Sequence, residues 1–223
     1  MSTGALAIWH DIVPGKEEAV LDWYNREHHP ERVGIAGFTR ATRYRADNGM
    51  PSVFINYEVS SPDVLKSEAY LERVNNPTEW TRRCMPFFRN NSRTVCRVEF
   101  DSSKAIGGYA ATLRFSAKKA HENSLRAALC NSILPSTARR SLIVRVQLWE
   151  ALLDITAIPT TERELRAGQD TTTPSCIVVY ASSQDALVPV IGSVSTASHF
   201  ASGATDLNVD TFTLDYSLTY PVM

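Results

Sequence analysis

The phrase Pro51-Ser52-Val53-Phe54-Ile55-Asn56-Tyr57 returns as Pro174-Ser175-Cys176-Ile177-Val178-Val179-Tyr180, and each copy has the length and apolar content of a buried β-strand. A chain that repeats a strand together with its surroundings is constrained to fold the same way twice. Sliding the sequence on itself by about 105 residues sets Trp9-His10 on Arg114-Phe115, Val20 on Leu125, Tyr24 on Leu129, Pro30 on Pro135, Arg40 on Arg145 and Tyr44 on Trp149. From Pro51 onward the offset becomes about 123, so the second copy carries roughly 18 extra residues between Glu150 and Thr173. That stretch, about 151–173, is rich in Thr, Pro and charge and reads as a long exposed loop. Near the end the offset falls back to about 117 and pairs Thr94-Val95-Cys96 with Thr211-Phe212-Thr213, which shortens the second copy around its second helix.

Each copy reads as β-α-β-β-α-β. Residues 6–13 form a short apolar run closed by the Pro14-Gly15 turn, hence a strand. Glu17 and Glu18 suit a helix N-terminus, and Val20, Trp23, Tyr24, Glu27 and His28 share a face at spacings of three and four. Pro30 disfavours the α conformation in the residue before it, so this helix is expected to end near His29. Two strands, 38–45 and 53–59, are joined by a turn at Asn48-Gly49, a second helix follows Ser61-Pro62-Asp63, and residues 93–100 close the unit. This is the ferredoxin-like order, an antiparallel sheet with both helices on one face. A single copy leaves its other face bare, and two copies can bury it. The expected fold is α+β: two ferredoxin-like repeats, 1–103 carrying the site and 104–223 structural, closing sheet to sheet as an α+β barrel.

A net charge of −1 gives no electrostatic reason to expect nucleic acid, and there is no apolar run of membrane-spanning length. Residues 1–11 lack the basic region and cleavage pattern of a signal peptide, so a cytoplasmic location is expected. Cys84, Cys96, Cys130 and Cys176 have no CxxC spacing and read as buried reduced thiols rather than a zinc site or disulfide framework.

The two copies differ in their chemistry-bearing residues. His28 lies four residues beyond Tyr24 and continues the buried stripe, while His29 is turned roughly 100° from it. Ser132, Ile133 and Leu134 stand where the first copy has Glu27, His28 and His29, so the fold itself does not require the imidazoles. Imidazole exchanges a proton near neutral pH, a helix C-terminus favours its charged form, and Glu27 could orient one ring nitrogen. Against this stands a capping or packing role for His28. Adjacent histidines are poor partners on one metal ion, and no third ligand is marked by spacing, so no metal is expected. The segment from Asn75 to Arg89 gathers Trp80, Arg82, Arg83, Phe87 and Phe88, where the second copy has small uncharged residues. Aromatic rings could wall a flat apolar ligand and an arginine could clamp its anionic group, or the segment could be packing with a solvated rim. His10, on the strand face shared with Leu6 and Ile8, is either core or cavity lining. Arg40 and Tyr44 recur as Arg145 and Trp149 and read as architectural.

The doubled β-α-β-β-α-β order, the His28-His29-Pro30 helix end and the Gly37-Phe38 strand start resemble the dimeric α+β barrel superfamily, and residues 1–100 resemble its EthD-like branch. That resemblance implies a ligand held between the helices and the sheet, a histidine near the first helix as acid or base, and chemistries running from cofactor-free oxygenation of phenols to isomerisation and elimination. It also includes haem-binding members, but no match to their histidine is visible here. The expected function is therefore a cofactor-independent lyase, decarboxylase, dehydratase or isomerase acting on an aromatic or unsaturated apolar compound with an anionic group. The expected catalytic residues are His28, His29 and Glu27, and the expected substrate-binding residues are His10, Tyr24, Trp80, Arg82, Arg83 and Phe87. The alternatives are a cofactor-free monooxygenase of phenolic substrates and a non-catalytic hydrophobic-ligand-binding protein. No cofactor, nucleic acid or membrane partner is expected, and the chain is read as a monomer or homodimer.

Overall fold

The structure is a computed structural model that describes residues 3–46 and 49–219. Strand β1 (Gly4–Ile12) is buried along nearly its whole length, as its apolar sequence requires. Helix α1 (Glu17–Trp23) opens with Glu17 and Glu18 against its positive N-terminal end and buries Val20 and Trp23. It does not stop at His29. A π-helical turn (Tyr24–His28) intervenes, in which the His29 N–H donates to the Tyr24 carbonyl five residues back, and helix α2 (His29–Val33) carries the chain past Pro30. Proline has no N–H to donate, and in a regular α-helix its ring meets the carbonyl four residues earlier. The wider turn accommodates it without breaking the helix.

Strands β2 (Phe38–Arg45) and β3 (Val53–Val59) follow. Of the expected turn at Asn48-Gly49, Asn48 lies outside the described residues. Gly49 has φ 107°, which suits glycine. A 3-10 turn (Pro62–Lys66) leads to α3 (Glu68–Asn75), capped by the Ser67 hydroxyl, and to α4 (Glu79–Cys84), capped by Thr78, before β4 (Phe88–Asp101). Next come β5 (Tyr109–Ala117), α5 (Glu122–Ala128), a second π-helical turn (Leu129–Ile133), α6 (Leu134–Ala138) and β6 (Ile143–Ala151). The second π turn is again followed two residues on by a proline, Pro135. Short helices α7 (Leu153–Thr156) and α8 (Thr161–Leu165) precede β7 (Ser175–Ala181), α9 (Leu187–Thr196), α10 (Ser198–Gly203) and β8 (Ala204–Thr219).

The chain forms two compact units. The first comprises residues up to Arg97, Leu152–Thr172 and the chain from Asp215 on, and the second comprises Val98–Ala151 and Thr173–Leu214. In unit 1 the antiparallel strand order is β2-β3-β1-β4, and helices α1 to α4 cover one face, with Val20, Trp23, Ile55, Tyr57, Tyr70 and Phe88 in the core between. Unit 2 has the antiparallel order β6-β7-β5-β8, with a core that includes Leu113, Leu129, Leu148, Val179 and Phe200.

The Thr- and charge-rich segment after Glu150 is not an exposed loop. It holds α7 and α8, buries Ile155, Thr156 and Glu162, and belongs to unit 1. The Leu152 N–H donates to the Val95 carbonyl (2.8 Å), the Val95 N–H to the Thr156 hydroxyl (2.9 Å), the Arg93 N–H to the Thr171 carbonyl (3.0 Å) and the Thr171 N–H to the Asn91 carbonyl (2.9 Å). The physical reason is β4 itself, whose backbone groups need partners on the side away from β1.

The register also departs from the expected alignment of the two phrases. Tyr57 is opposite Leu6 and Val179 is opposite Ala111, and Leu6 corresponds to Ala111 at the offset that matches β1 to β5. Val179, not Tyr180, therefore stands where Tyr57 does. In the same way Val95 faces Leu6 and Thr211 faces Ala111, so Thr211 answers to Val95 rather than Thr94. A slip of one residue in a strand exchanges its faces.

Candidate active site

A cavity of about 20 Å³ lies within unit 1, between the helices and the β1–β3–β4 face of its sheet. That is room for about one water. Leu6 and Ile8 supply its floor from β1, Tyr24, His28 and Arg32 reach it from the π turn and α2, and Tyr57 and Tyr70 from β3 and α3. Met85, Phe88, Asn91 and Arg93 line it from β4 and the turn before it, and Glu162 and Arg166 close it from the 152–172 segment.

His28 packs on the Trp23 indole, with ring centroids 4.3 Å apart, and meets Tyr24 edge-on at 5.5 Å. It is buried, and its Nδ1 has no hydrogen-bond partner. Burial holds its pKa well below the ordinary imidazole value, and the positive charge of Arg32 pushes it the same way. His28 is therefore neutral at physiological pH, a base rather than a stored acid. The helix-end argument for a charged imidazole does not apply, because the helix continues to Val33 and places Arg32, not free carbonyls, beside the ring.

His29 points elsewhere. Its ring stacks between Tyr24 and Tyr216, at 4.8 and 5.2 Å, and its Nδ1 lies 2.8 Å from the Tyr57 hydroxyl. Burial also lowers its pKa well below the ordinary value, followed by the Arg43 and Arg32 charges. Tyr57, whose pKa is raised well above the phenol range by burial, stays protonated and faces the cavity. The pair gives the cavity a neutral phenol backed by a neutral imidazole. His10 is not on the cavity wall. Its ring stacks on Phe88 at 4.2 Å, its Nδ1 lies 3.1 Å from the Asp11 carbonyl, and its Nε2 lies 3.1 Å from the Tyr24 hydroxyl. Burial lowers its pKa to about 4, and the neutral tautomer that donates from Nδ1 and accepts the Tyr24 hydroxyl proton satisfies both contacts. His10 thus holds Tyr24, which lines the cavity.

Glu27 does not orient His28. Its Oε1 accepts the Trp23 indole N–H (3.1 Å) and the hydroxyls of Thr78 (2.6 Å) and Thr81 (3.3 Å), tying the first helix to α4. Glu27→Ala strips this acceptor from the fully buried Trp23 and Thr81, and an unfolding titration should show a loss of about 1–3 kcal/mol. An unchanged denaturation midpoint would contradict it.

The structure does not bring Trp80, Arg82, Arg83 or Phe87 to the cavity. Arg82 and Arg83 are exposed in the last turn of α4, Trp80 packs half-buried on the unit 1 core, and Phe87 lies under the Lys16 ammonium at 5.3 Å. Three other guanidinium groups stand there instead. Arg32 is ion-paired to Glu162, Arg93 Nη2 donates to the Tyr70 hydroxyl (2.8 Å), and Arg166 grips Asp170 with two nitrogens. Burial opposes the Arg32 charge, but the Glu162 carboxylate overcomes it and holds the guanidinium pKa above its usual range.

Among the described residues no group of three His, Cys, Asp or Glu side chains could hold a metal ion, and no helix is long and apolar enough to cross a membrane. All four cysteines are reduced, with Cys130 half-buried and the others buried. The two histidines of unit 2, His121 and His199, are exposed.

No family model matches the sequence, and no curated protein matches it. Solved structures do. An anthrone oxidase-like protein superposes with a TM-score of 0.64 at 11% identity, covering 98% of this chain and 93% of the other. A protein assigned as a monooxygenase from Lactobacillus acidophilus gives 0.63 at 8% identity, covering 99% and 97%. A protein assigned as a chlorite dismutase gives 0.63 at 11% identity, covering 96% of each. These neighbours share the dimeric α+β barrel fold, and at such low identity the likeness is one of fold alone.

Proposed function

We propose that unit 1 carries the active site of a small-molecule enzyme performing cofactor-independent acid/base chemistry on an unsaturated or aromatic compound with an anionic group. The observation that carries this reading is His28: buried, neutral and with its Nδ1 unpartnered, on the wall of a cavity shared with Tyr57 and three guanidinium groups. In this reading His28 takes a proton from a substrate carbon, the Tyr57 hydroxyl, braced by His29, donates a hydrogen bond to the developing oxyanion, and the guanidinium charge favours the anionic intermediate. A lyase, decarboxylase, dehydratase or isomerase step would use these parts. Oxygenation of a phenolic substrate without a cofactor is the second reading, favoured by the anthrone oxidase-like neighbour, because it needs the same carbanion or phenolate. An EthD-like origin by tandem duplication belongs to the same proposal. It is supported by the common element order of the two units and by a π turn before proline in each.

The test is solvent exchange. A panel of aromatic and unsaturated acids incubated with the protein in D2O should include a compound that gains deuterium at carbon, and His28→Asn should abolish that gain. Exchange at the same rate in the variant would remove His28 from the reaction. Oxygen consumption without exchange would select the oxygenase reading.

A further inference from the structure

The cavity beside His28 already faces a carboxylate, and it is the protein's own. Glu162 extends from α8 to Arg32, forms an ion pair with its Nη2, and is only 6% exposed, while Arg32 is 2% exposed. The other terminal nitrogen, Nη1, makes no hydrogen bond and has Glu31 Oε2 at 3.8 Å. A guanidinium recognises a carboxylate best through two parallel bonds, and this one uses only one arm. Nearby, His28 Nδ1 and Asn91 Oδ1 are also buried and unpartnered.

The covering segment is attached unevenly. Its ends, at Leu152, Thr156 and Thr171, are fixed to β4 through hydrogen bonds to backbone groups. Its middle is held by side chains: Glu162 on Arg32, the Thr161 N–H on the Asn75 side-chain Oδ1 (3.1 Å), Asp170 on Asn91 (2.8 Å), and the half-buried Ile158 and Leu165 against the unit 1 core. Helices α7 and α8, of four and five residues, are too short to persist alone. The remaining cavity walls belong to the sheet, the helical run from Glu17 to Val33, α3 and the turn before β4. With the segment seated, nothing much larger than a water fits.

We infer that the substrate is a small monocarboxylate, and that the 152–172 segment is a lid whose Glu162 carboxylate holds the substrate's place on Arg32 until the two exchange. This rests on the reading that the cavity beside His28 is the site. Exchange replaces one carboxylate by another on the same guanidinium, so Arg32 is never left as an uncompensated buried charge. It also lets the incoming carboxylate engage Nη1, which makes no hydrogen bond, in a two-bond grip. A neutral ligand of the same shape cannot displace Glu162 and finds no room, so the lid selects acids from amides and alcohols.

Benzoate and its neutral counterpart benzamide are the probes. In the wild-type protein, saturating benzoate should accelerate tryptic cleavage after Arg163 and Arg166 by about tenfold or more, and benzamide should not. Glu162→Gln should bind benzoate about tenfold more tightly by calorimetry, since the internal competitor is gone, with benzamide still weak. Protection from trypsin, unchanged cleavage, or benzoate affinity no better in Glu162→Gln would overturn the lid. Because the cleavage assay uses the wild-type chain, it stands even if the variant misfolds. The His28 ring signals in NMR separate the two failures. Benzoate that shifts them without opening the segment refutes the lid and leaves the site standing, whereas benzoate that leaves them unmoved refutes both.

Discussion

Replacing His28 by Asn should lower kcat by about 10²–10⁴-fold, the usual contribution of a positioned proton acceptor, while leaving the affinity for a carboxylate ligand within a few-fold of wild type. Asparagine keeps a polar planar group against the Trp23 indole and removes only the basic nitrogen. The pH profile should carry a second signature. A base must be unprotonated, and burial together with Arg32 holds the His28 pKa well below its ordinary value of 6.5. The acid limb of kcat/KM should therefore fall below pH 6.5, and the rate should be flat from there up to neutrality. An acid limb above 6.5, or a His28→Asn enzyme with the wild-type profile, would assign the proton transfer to another group. His29→Asn should cost less, because His29 acts on the cavity only through the Tyr57 hydroxyl 2.8 Å away.

The pattern of residues made the element order legible, and it made His28 legible as the imidazole of the helix's buried face. The rest was hidden for reasons that can be named. Pro30 was a sound stop signal for an α-helix, but the π turn upstream had no local signature apart from the proline itself and its counterpart Pro135. Tyr57 was concealed by identity: the repeated phrase aligns it with Tyr180, so comparing the halves marks it as shared, whereas the register puts Val179 in its place. Pairing the strands by their apolar faces rather than by matching letters would have exposed it. Arg32 stood three residues beyond His29 in the same helix-end sequence but was overshadowed by the denser Arg82-Arg83 pair, which helix α4 turns to solvent. Glu162 and Arg166 could not be foreseen at the site. Their segment lies between β6 and β7 in sequence and packs in unit 1, a long-range choice made by β4 backbone groups rather than by any local pattern.

Acid should destabilise this fold through its buried imidazoles. His10, His28 and His29 are all buried, and burial lowers each pKa, that of His10 from 6.5 to about 4. In the unfolded chain these imidazoles take up protons near pH 6.5, whereas in the folded chain they do not. Below 6.5 the unfolded state binds more protons, so stability is complete above that pH and declines as pH falls toward the folded values. Each imidazole contributes a slope of up to about 1.4 kcal/mol per pH unit, so lowering the pH from 7.5 to 5.5 should remove roughly 4 kcal/mol from the three together. That is a large part of the 5–15 kcal/mol typical of a whole domain. Glu31 and Asp210, whose pKa values burial raises, act in the opposite direction once the pH falls into the range where their folded carboxyls take up protons. Urea unfolding at both pH values, with calorimetry in buffers of different ionisation enthalpy, should show uptake of about three protons on unfolding at pH 5.5. His10→Phe, which installs the residue that unit 2 carries at this position, Phe115, should remove about one of them and flatten the slope by a third. Stability that stays level between pH 7.5 and 5.5 would mean that these imidazoles are not buried in their neutral form, and the electrostatic basis for His28 as a base would go with it.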